Sequence, residues 1–161
     1  VGHLQRNKVK YIAGFIYMIE SVDSRKLLRA INKEAIKAGR TINCLLQFYI
    51  AEEETKFGFS MEEAVEMIEA GTLEELGNVN VLGVMGMATF TDDTDRVRKE
   101  FASLREIFRE LKDKYFKHKD DFREISMGMT NDYRIALEEG STMIRLGTSI
   151  FGERYCRTDN N

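Results

Sequence analysis

Apolar runs alternate along the whole chain with segments in which apolar residues recur every three or four positions. Strands joined by helices produce this alternation, so the pattern predicts an α/β protein with a parallel sheet. The run Ile42–Ile50 is almost continuously apolar, as is typical of a parallel strand covered on both faces. The predicted strands are Val1–Leu4, Phe15–Val22, Ile42–Ile50, Val79–Met87, Phe122–Met127 and Met143–Gly147.

The segments between these runs carry the signals of amphipathic helices. Ser60–Glu63 has the capping-box pattern, in which a Ser and a Glu three residues later each bond a free backbone N–H. Gly39 and Gly140 mark the ends of two other helices. The longest predicted helix has an apolar stripe with spacings that alternate between four and three residues. The members of this stripe are Val97, Phe101, Leu104, Phe108, Leu111 and Tyr115.

Six predicted strands are compatible with an open doubly wound sheet, whereas a closed (β/α)8 barrel needs eight. The pattern at Val1–Leu4 is that of the middle of a strand rather than of its start. We therefore expect residues 1–161 to form one domain, a TIM-type (β/α)8 barrel that is incomplete here. About six of its eight β/α units would be present, and the first two strands would be missing from this chain.

Composition removes several classes of function. The net charge is −3 and no Lys/Arg stripe is present, so a nucleic-acid partner has no electrostatic support. The longest apolar run, Val79–Phe90, is too short to span a bilayer, and no signal peptide is recognisable. Cys44 and Cys156 form neither a disulfide framework nor a metal-binding pattern. We expect a cytoplasmic protein with reduced thiols, no membrane partner and no metal.

The last two predicted strands end in small residues that expose the backbone. Ser126–Thr130 reads Ser-Met-Gly-Met-Thr, and Gly147 is followed by Thr148. Successive N–H groups at a strand-to-helix turn can hold a phosphate, and β/α barrels commonly bind phosphate after strands 7 and 8. If two strands are missing, these two are strands 7 and 8. The alternative is that the glycines only form tight turns.

Arg145 lies in the middle of the last predicted strand. Strand alternation places Met143, Arg145 and Gly147 on one face. A buried guanidinium is costly unless it has partners. It would therefore either form a structural ion pair with a neighbouring acid, or point at an acceptor atom of a ligand whose phosphate lies two residues further along.

Five motifs occur in the order found in one family, and from Val1 to about Arg154 the chain resembles the pyridoxal phosphate homeostasis proteins, single-domain relatives of the alanine racemase N-terminal barrel. The last motif, about thirteen residues long, is the most specific. The motifs are Gly2–Lys8, Glu53–Gly58, Gly83–Met87, Ser126–Met129 and Gly140–Gly152.

The resemblance implies a site for pyridoxal 5'-phosphate (PLP). Ser126 would bond the phosphate, and the backbone amides of Gly147 and Thr148 would complete the cradle. Arg145 would face the pyridine nitrogen and disfavour its protonation, because two like charges would be adjacent. That weakens the electron sink that PLP enzymes use. The full set of expected cofactor-binding residues is Ser126, Gly128, Arg145, Gly147, Thr148, His3, Asn7 and Met85.

Two departures from the family pattern matter. The family holds PLP as a Schiff base on a lysine of the first barrel strand, and no residue here corresponds to it. Lys8 and Lys56 belong to motifs of their own and are not assigned that role. We therefore expect no covalent PLP, and the site would hold phosphate or sulfate or be empty. Tyr49 also stands where relatives often carry a smaller polar residue such as Asn.

The resemblance favours a non-enzymatic protein that binds and releases PLP, keeps free aldehyde low and supplies PLP-dependent client enzymes. One alternative is a PLP-dependent racemase or decarboxylase, which would need a second acid/base group. A second alternative is a phosphate-binding barrel enzyme without PLP.

Overall fold

A computed structural model describes residues 2–51 and 57–152. Its core is one sheet of five parallel strands in which each strand pairs with the next along the chain. This consecutive order with helical crossovers is that of a β/α barrel, here an incomplete one. The strands are β1 (Met18–Val22), β2 (Ile42–Tyr49), β3 (Val79–Met87), β4 (Glu124–Met129) and β5 (Met143–Arg145).

Seven helices and one 3-10 turn, Arg6–Lys8, connect or flank these strands in the described residues. The predicted capping box is confirmed, because Glu63 N–H donates to Ser60 Oγ (3.1 Å) and Ser60 N–H donates to Glu63 (3.0 Å). No helix in the described parts of the chain is long and apolar enough to cross a membrane. The helices are α1 (Val9–Ile12), α2 (Arg25–Lys37), α3 (Met61–Glu69), α4 (Thr72–Glu75), α5 (Thr94–Lys114), α6 (Tyr133–Glu138) and α7 (Thr148–Phe151).

The prediction of a strand at Val1–Leu4 is wrong for its described residues, because Gly2–Leu4 pairs with no strand in the described chain. The prediction for Phe15–Val22 starts three residues early. The amides of Phe15 and Ile16 bond the carbonyl of Ile12 at 3.1 and 2.9 Å, which keeps them in the turn that ends α1. The described sheet therefore has five strands instead of six.

The two faces of the sheet bury different side chains. The outer face packs its alternate apolar residues, such as Leu46 and Phe48, against the helices. The inner face carries a smaller apolar group formed by Leu45, Leu82 and Met85. Cys44 faces the outer core, where burial raises the pKa of its thiol to about 12 and keeps it protonated.

The sheet is strongly curved. Glu20 on β1 and Ser126 on β4 are joined by a 2.6 Å hydrogen bond, although β2 and β3 lie between their strands. In a flat sheet three strand spacings would separate the two backbones by about 14 Å, which these side chains could not bridge. The inner face is therefore the concave interior of a barrel wall.

Helices α5 and α6 hold the last strands in place. The stripe predicted for α5 is buried at Val97, Phe101, Leu104 and Leu111. Glu139, at the end of α6, accepts from Arg98 (3.0 Å) and from Arg105 (2.6 Å), both on α5. These contacts tie α6, which packs on β4, to the helix layer.

We expect Leu104→Ala to lower the free energy of unfolding by about 3 kcal/mol, because the side chain is fully buried between α5 and the sheet. Leu137→Ala is the matched control, since that leucine is 51% exposed and should change the value by no more than about 0.5 kcal/mol. Urea unfolding of both variants measures the difference. Equal losses would contradict the packing described here.

Candidate functional site

The loops that follow β4 and β5 enclose a cavity of about 570 Å³ at the carboxyl ends of the strands. Thr130 and Thr148 lie in its wall, and the Thr148 hydroxyl donates to the Thr130 hydroxyl at 3.1 Å. Gly147 lies beside them, just before α7. Two hydroxyls and a glycine backbone at a strand-to-helix turn form an arrangement that suits a phosphate.

Two carboxylates shape the loops around this cavity. Asp132 accepts from the Met129 amide at 2.5 Å and so fixes the turn after β4. Glu100, which is buried, accepts from the amide and the hydroxyl of Thr89 at 2.7 and 2.8 Å. Thr89 directly precedes Phe90, another residue of the cavity wall. Both carboxylates are hydrogen-bonded to the protein, and Asp132 also lines the cavity itself.

Arg145 lies beneath this cavity on the inner face. Its guanidinium donates to Ser126 Oγ at 2.7 Å and to the carbonyl of Gly86 at 2.9 Å. Its Nε is buried without a hydrogen-bond partner in the described chain. Burial lowers the pKa of Arg145, while the charges of Glu20 and Asp132 act to raise it. No carboxylate of the described residues forms a direct ion pair with Arg145, so the alternative of a structural ion pair is not found there.

The residues that were predicted to bind the phosphate lie in two separate places in the structure. Ser126 is fully buried and is absent from the wall of the 570 Å³ cavity, and its hydroxyl bonds Glu20 and Arg145. Thr148 is paired with Thr130 instead. A phosphate contact by Ser126 remains a prediction, and the cavity supplies Thr130 as an additional candidate. Thr130 ends the Ser-Met-Gly-Met-Thr segment, so its position in that motif was the available signal.

A second cavity of about 330 Å³ lies on the other side of Arg145 and is also lined by His3, Glu20 and Met85. The Nδ1 of His3 contacts the carboxylate of Asp23, and its ring stacks on Phe57 with centroids 4.2 Å apart. The predicted residues His3 and Met85 are therefore brought together with Arg145.

Asn7 is not brought to either cavity that Arg145 lines. Asn7 is part of the 3-10 turn and lines a separate depression of about 610 Å³ near the start of α2. Lys8 lines none of these three cavities. Lys56 falls outside the described residues. The described cluster at the strand ends therefore excludes Asn7 and Lys8.

The packing of α6 against β4 explains why residue 128 is a glycine. Its φ is +92°, and a Cβ there would lie 2.5 Å from the Cβ of Ala136 and 3.0 Å from the Cα of Tyr133. Only glycine lets α6 approach β4 this closely. Gly147, by contrast, faces open space where a side chain would be. Of the two predicted glycines, Gly147 has the geometry of a ligand contact.

Together these features define a class of protein: a parallel β/α barrel with a cavity lined by threonine hydroxyls at the ends of its last strands and a partly buried cation under it. No group of three or more metal-binding side chains occurs among residues 2–51 and 57–152. The family model "Alanine racemase, N-terminal domain" matches residues 1–155. The chain belongs to this family.

Relatives whose names state a function are similar over most of this chain. The "Pyridoxal phosphate homeostasis protein" of Aquifex aeolicus is 40% identical over 154 residues, which cover 96% of this chain and 65% of the relative. The solved structure of PipY from Synechococcus elongatus with PLP bound has a TM-score of 0.78 and 29% identity, covering 94% of this chain and 68% of PipY. The chain thus spans about two thirds of the length of these relatives.

An enzyme of the same fold is less similar to this chain in sequence. The alanine racemase of Clostridium difficile has a TM-score of 0.66 at 15% identity, covering 98% of this chain and 39% of the enzyme. At that identity the likeness concerns the fold. It confirms the barrel class and carries no information on activity.

We expect Gly128→Ala to destabilise the protein by about 2 kcal/mol, because the added methyl group overlaps Ala136 and the backbone at φ +92° is strained. Gly147→Ala adds a methyl group in open space at a negative φ and should leave stability almost unchanged. Thermal unfolding of the two variants tests this assignment. A larger loss for Gly147→Ala would reverse the roles given to the two glycines.

Proposed function

We propose that the protein binds PLP and acts in PLP homeostasis and cofactor supply. The observation that carries this proposal is the position of Arg145, a partly buried cation that lines both the 570 Å³ cavity with Thr130 and Thr148 and the 330 Å³ cavity beside it. A phosphorylated pyridine fits this arrangement, because its two acceptor groups match the two kinds of donor. The names of the relatives agree with the same ligand.

In this proposal each group of the site has one task. The hydroxyls of Thr130 and Thr148 and the backbone at Gly147 hold the phosphate, and Arg145 faces the ring nitrogen. The buried Nε–H of Arg145, which lacks a partner in the described chain, supports the fit. PLP supplies a reactive aldehyde when it is bound. The guanidinium keeps the ring nitrogen unprotonated, because a second positive charge beside it would be unfavourable.

An unprotonated ring nitrogen favours binding over turnover. Stabilisation of a carbanion by PLP depends on the ring acting as an electron sink, and a neighbouring Arg weakens that sink. We therefore propose a carrier that delivers PLP to client enzymes and has little activity of its own.

A racemase-like or decarboxylase-like enzyme is the second candidate. His3 favours it, because an imidazole oriented by the Asp23 carboxylate in the same cavity as Arg145 is a suitable acid/base group. Incubation of the protein and PLP with L-alanine distinguishes the candidates. Racemisation that disappears in His3→Asn would favour the enzyme, and absence of turnover with intact PLP binding would favour the carrier.

We expect Thr130→Val and Thr148→Val each to weaken PLP binding about tenfold, because each removes a hydroxyl that would bond the charged phosphate. Fluorescence titration with PLP measures the dissociation constants. The control is Thr41→Val, which alters an exposed threonine just before β2 and should have no effect. Unchanged PLP affinity in both site variants would contradict the proposed phosphate cradle, and no PLP binding by the unmodified chain would contradict the proposed function.

Bound PLP is expected to be noncovalent. Neither of the two cavities that share Arg145 is lined by a lysine of the described residues. Borohydride reduction of the PLP-loaded protein, followed by mass spectrometry, should therefore leave no pyridoxyl adduct. A stoichiometric adduct on Lys8 or Lys56 would show that a lysine reaches the aldehyde and would overturn this expectation.

A further inference from the structure

Glu20 is a charged residue inside a strand that otherwise contributes apolar side chains to the core. Its neighbour Ile19 is buried on the outer face, and strand alternation places Glu20 on the inner face. There it lines the 330 Å³ cavity with Arg145 and accepts a hydrogen bond from Ser126. Because it lies on β1, at the opposite end of the described sheet from β5, its contact with this group is made across the barrel interior.

The direction of every hydrogen bond in this group is fixed by chemistry. A guanidinium can only donate and an ionised carboxylate can only accept. Ser126 Oγ therefore accepts from Arg145 (2.7 Å) and gives its single proton to Glu20 (2.6 Å). The hydroxyl has no second proton for a ligand phosphate while this chain of bonds persists. Ser126 thus links the charges of Arg145 and Glu20 through two hydrogen bonds, and we call these three residues the relay.

In this arrangement Arg145 has a counter-charge nearby but no direct ion pair with a described residue. No described carboxylate is within ion-pair distance of the guanidinium, and Glu20 is separated from it by one hydroxyl. A direct ion pair would occupy the donors and quench the charge that a ligand could use. A counter-charge one hydroxyl away compensates the partly buried cation without bonding it directly.

We propose that Glu20 is a positioning residue, which acts through Ser126 to hold Arg145 in the orientation that meets the ring nitrogen of the ligand. This inference rests on the proposed function and adds to it a residue that touches Arg145 only indirectly. The carbonyl of Gly86 accepts a hydrogen bond from the other terminal nitrogen of the guanidinium at 2.9 Å and is the second group that orients it. Two anchors on different strands define the plane of the guanidinium.

The test compares two probes in variants of the full chain. PLP has a ring nitrogen, whereas benzyl phosphate has an aromatic ring and a phosphate but no ring nitrogen. In Glu20→Ala we expect PLP affinity to fall about tenfold and benzyl phosphate affinity to stay unchanged, since only the Arg145 contact is disturbed. Glu20→Gln keeps an acceptor for Ser126 and should recover most of the PLP affinity. Ser126→Ala should match Glu20→Ala, and the double variant should lose no more than either single one.

Glu124→Ala is the matched control. Glu124 on β4 accepts from the Thr142 hydroxyl at 2.7 Å, a bond of the same kind as that of Glu20 but away from Arg145. It should leave both affinities unchanged. Equal losses for both probes in Glu20→Ala would show a structural role and overturn the proposal. Loss of benzyl phosphate affinity in Ser126→Ala would also overturn it, because Ser126 would then hold the phosphate itself.

A ligand-free measurement separates this inference from the proposed function. The buried Nε–H of Arg145 gives an NMR signal whose exchange with water should be about tenfold faster in Glu20→Ala than in the unmodified chain. If the unmodified chain binds no PLP, the proposed function fails while faster exchange still supports the relay. If PLP binds and the exchange rate is the same in both proteins, the relay fails and the proposed function stands.

Discussion

The cost of burying the Arg145 guanidinium organises the interior of this incomplete barrel. A cation is tolerated there only where acceptors are brought to it. The carbonyl of Gly86 comes from β3, the hydroxyl of Ser126 comes from β4, and Ser126 is bonded in turn to Glu20 on β1. Four of the five described strands thus contribute one group to a single chain of polar contacts. That chain can form only because the sheet curls enough to bring β1 opposite β4.

The fold was largely predictable because most of its signals are local. The stripe along α5 and the capping box Ser60–Glu63 depend on residues within one or two helical turns, and both are found as predicted. The strand predicted at Val1–Leu4 failed for a different reason. An apolar tetrapeptide becomes a strand only when a neighbouring strand pairs with its backbone, and hydrophobic pattern carries no information on that pairing. The described part, Gly2–Leu4, has no such neighbour.

The sequence indicated which loops line the candidate site, but it did not indicate the hydrogen bonds made there. The small residues after β4 and β5 indicated the loops that line the 570 Å³ cavity, and Arg145 indicated the inner face. The family resemblance assigned Ser126 to the phosphate, which stays a prediction, and the structure adds a hydrogen bond from its hydroxyl to a residue 106 positions away. Such a contact depends on the curvature of the sheet, which no local pattern encodes. Glu20 was overlooked for the same reason, although a charge inside an apolar strand was a visible signal.

The position of Arg145 between two cavities also bears on what the proposed ligand could do once bound. In the described chain it is the one residue that lines both cavities, with the hydroxyls of Thr130 and Thr148 on one side and His3 on the other. In the proposed function, a phosphorylated pyridine held at the hydroxyls would place its ring against the guanidinium. A relayed counter-charge leaves that guanidinium positive, so the ring nitrogen has no reason to take up a proton. In the proposed function, contact with the ring and its weak activation would both depend on this one side chain, which is the combination that a cofactor carrier requires.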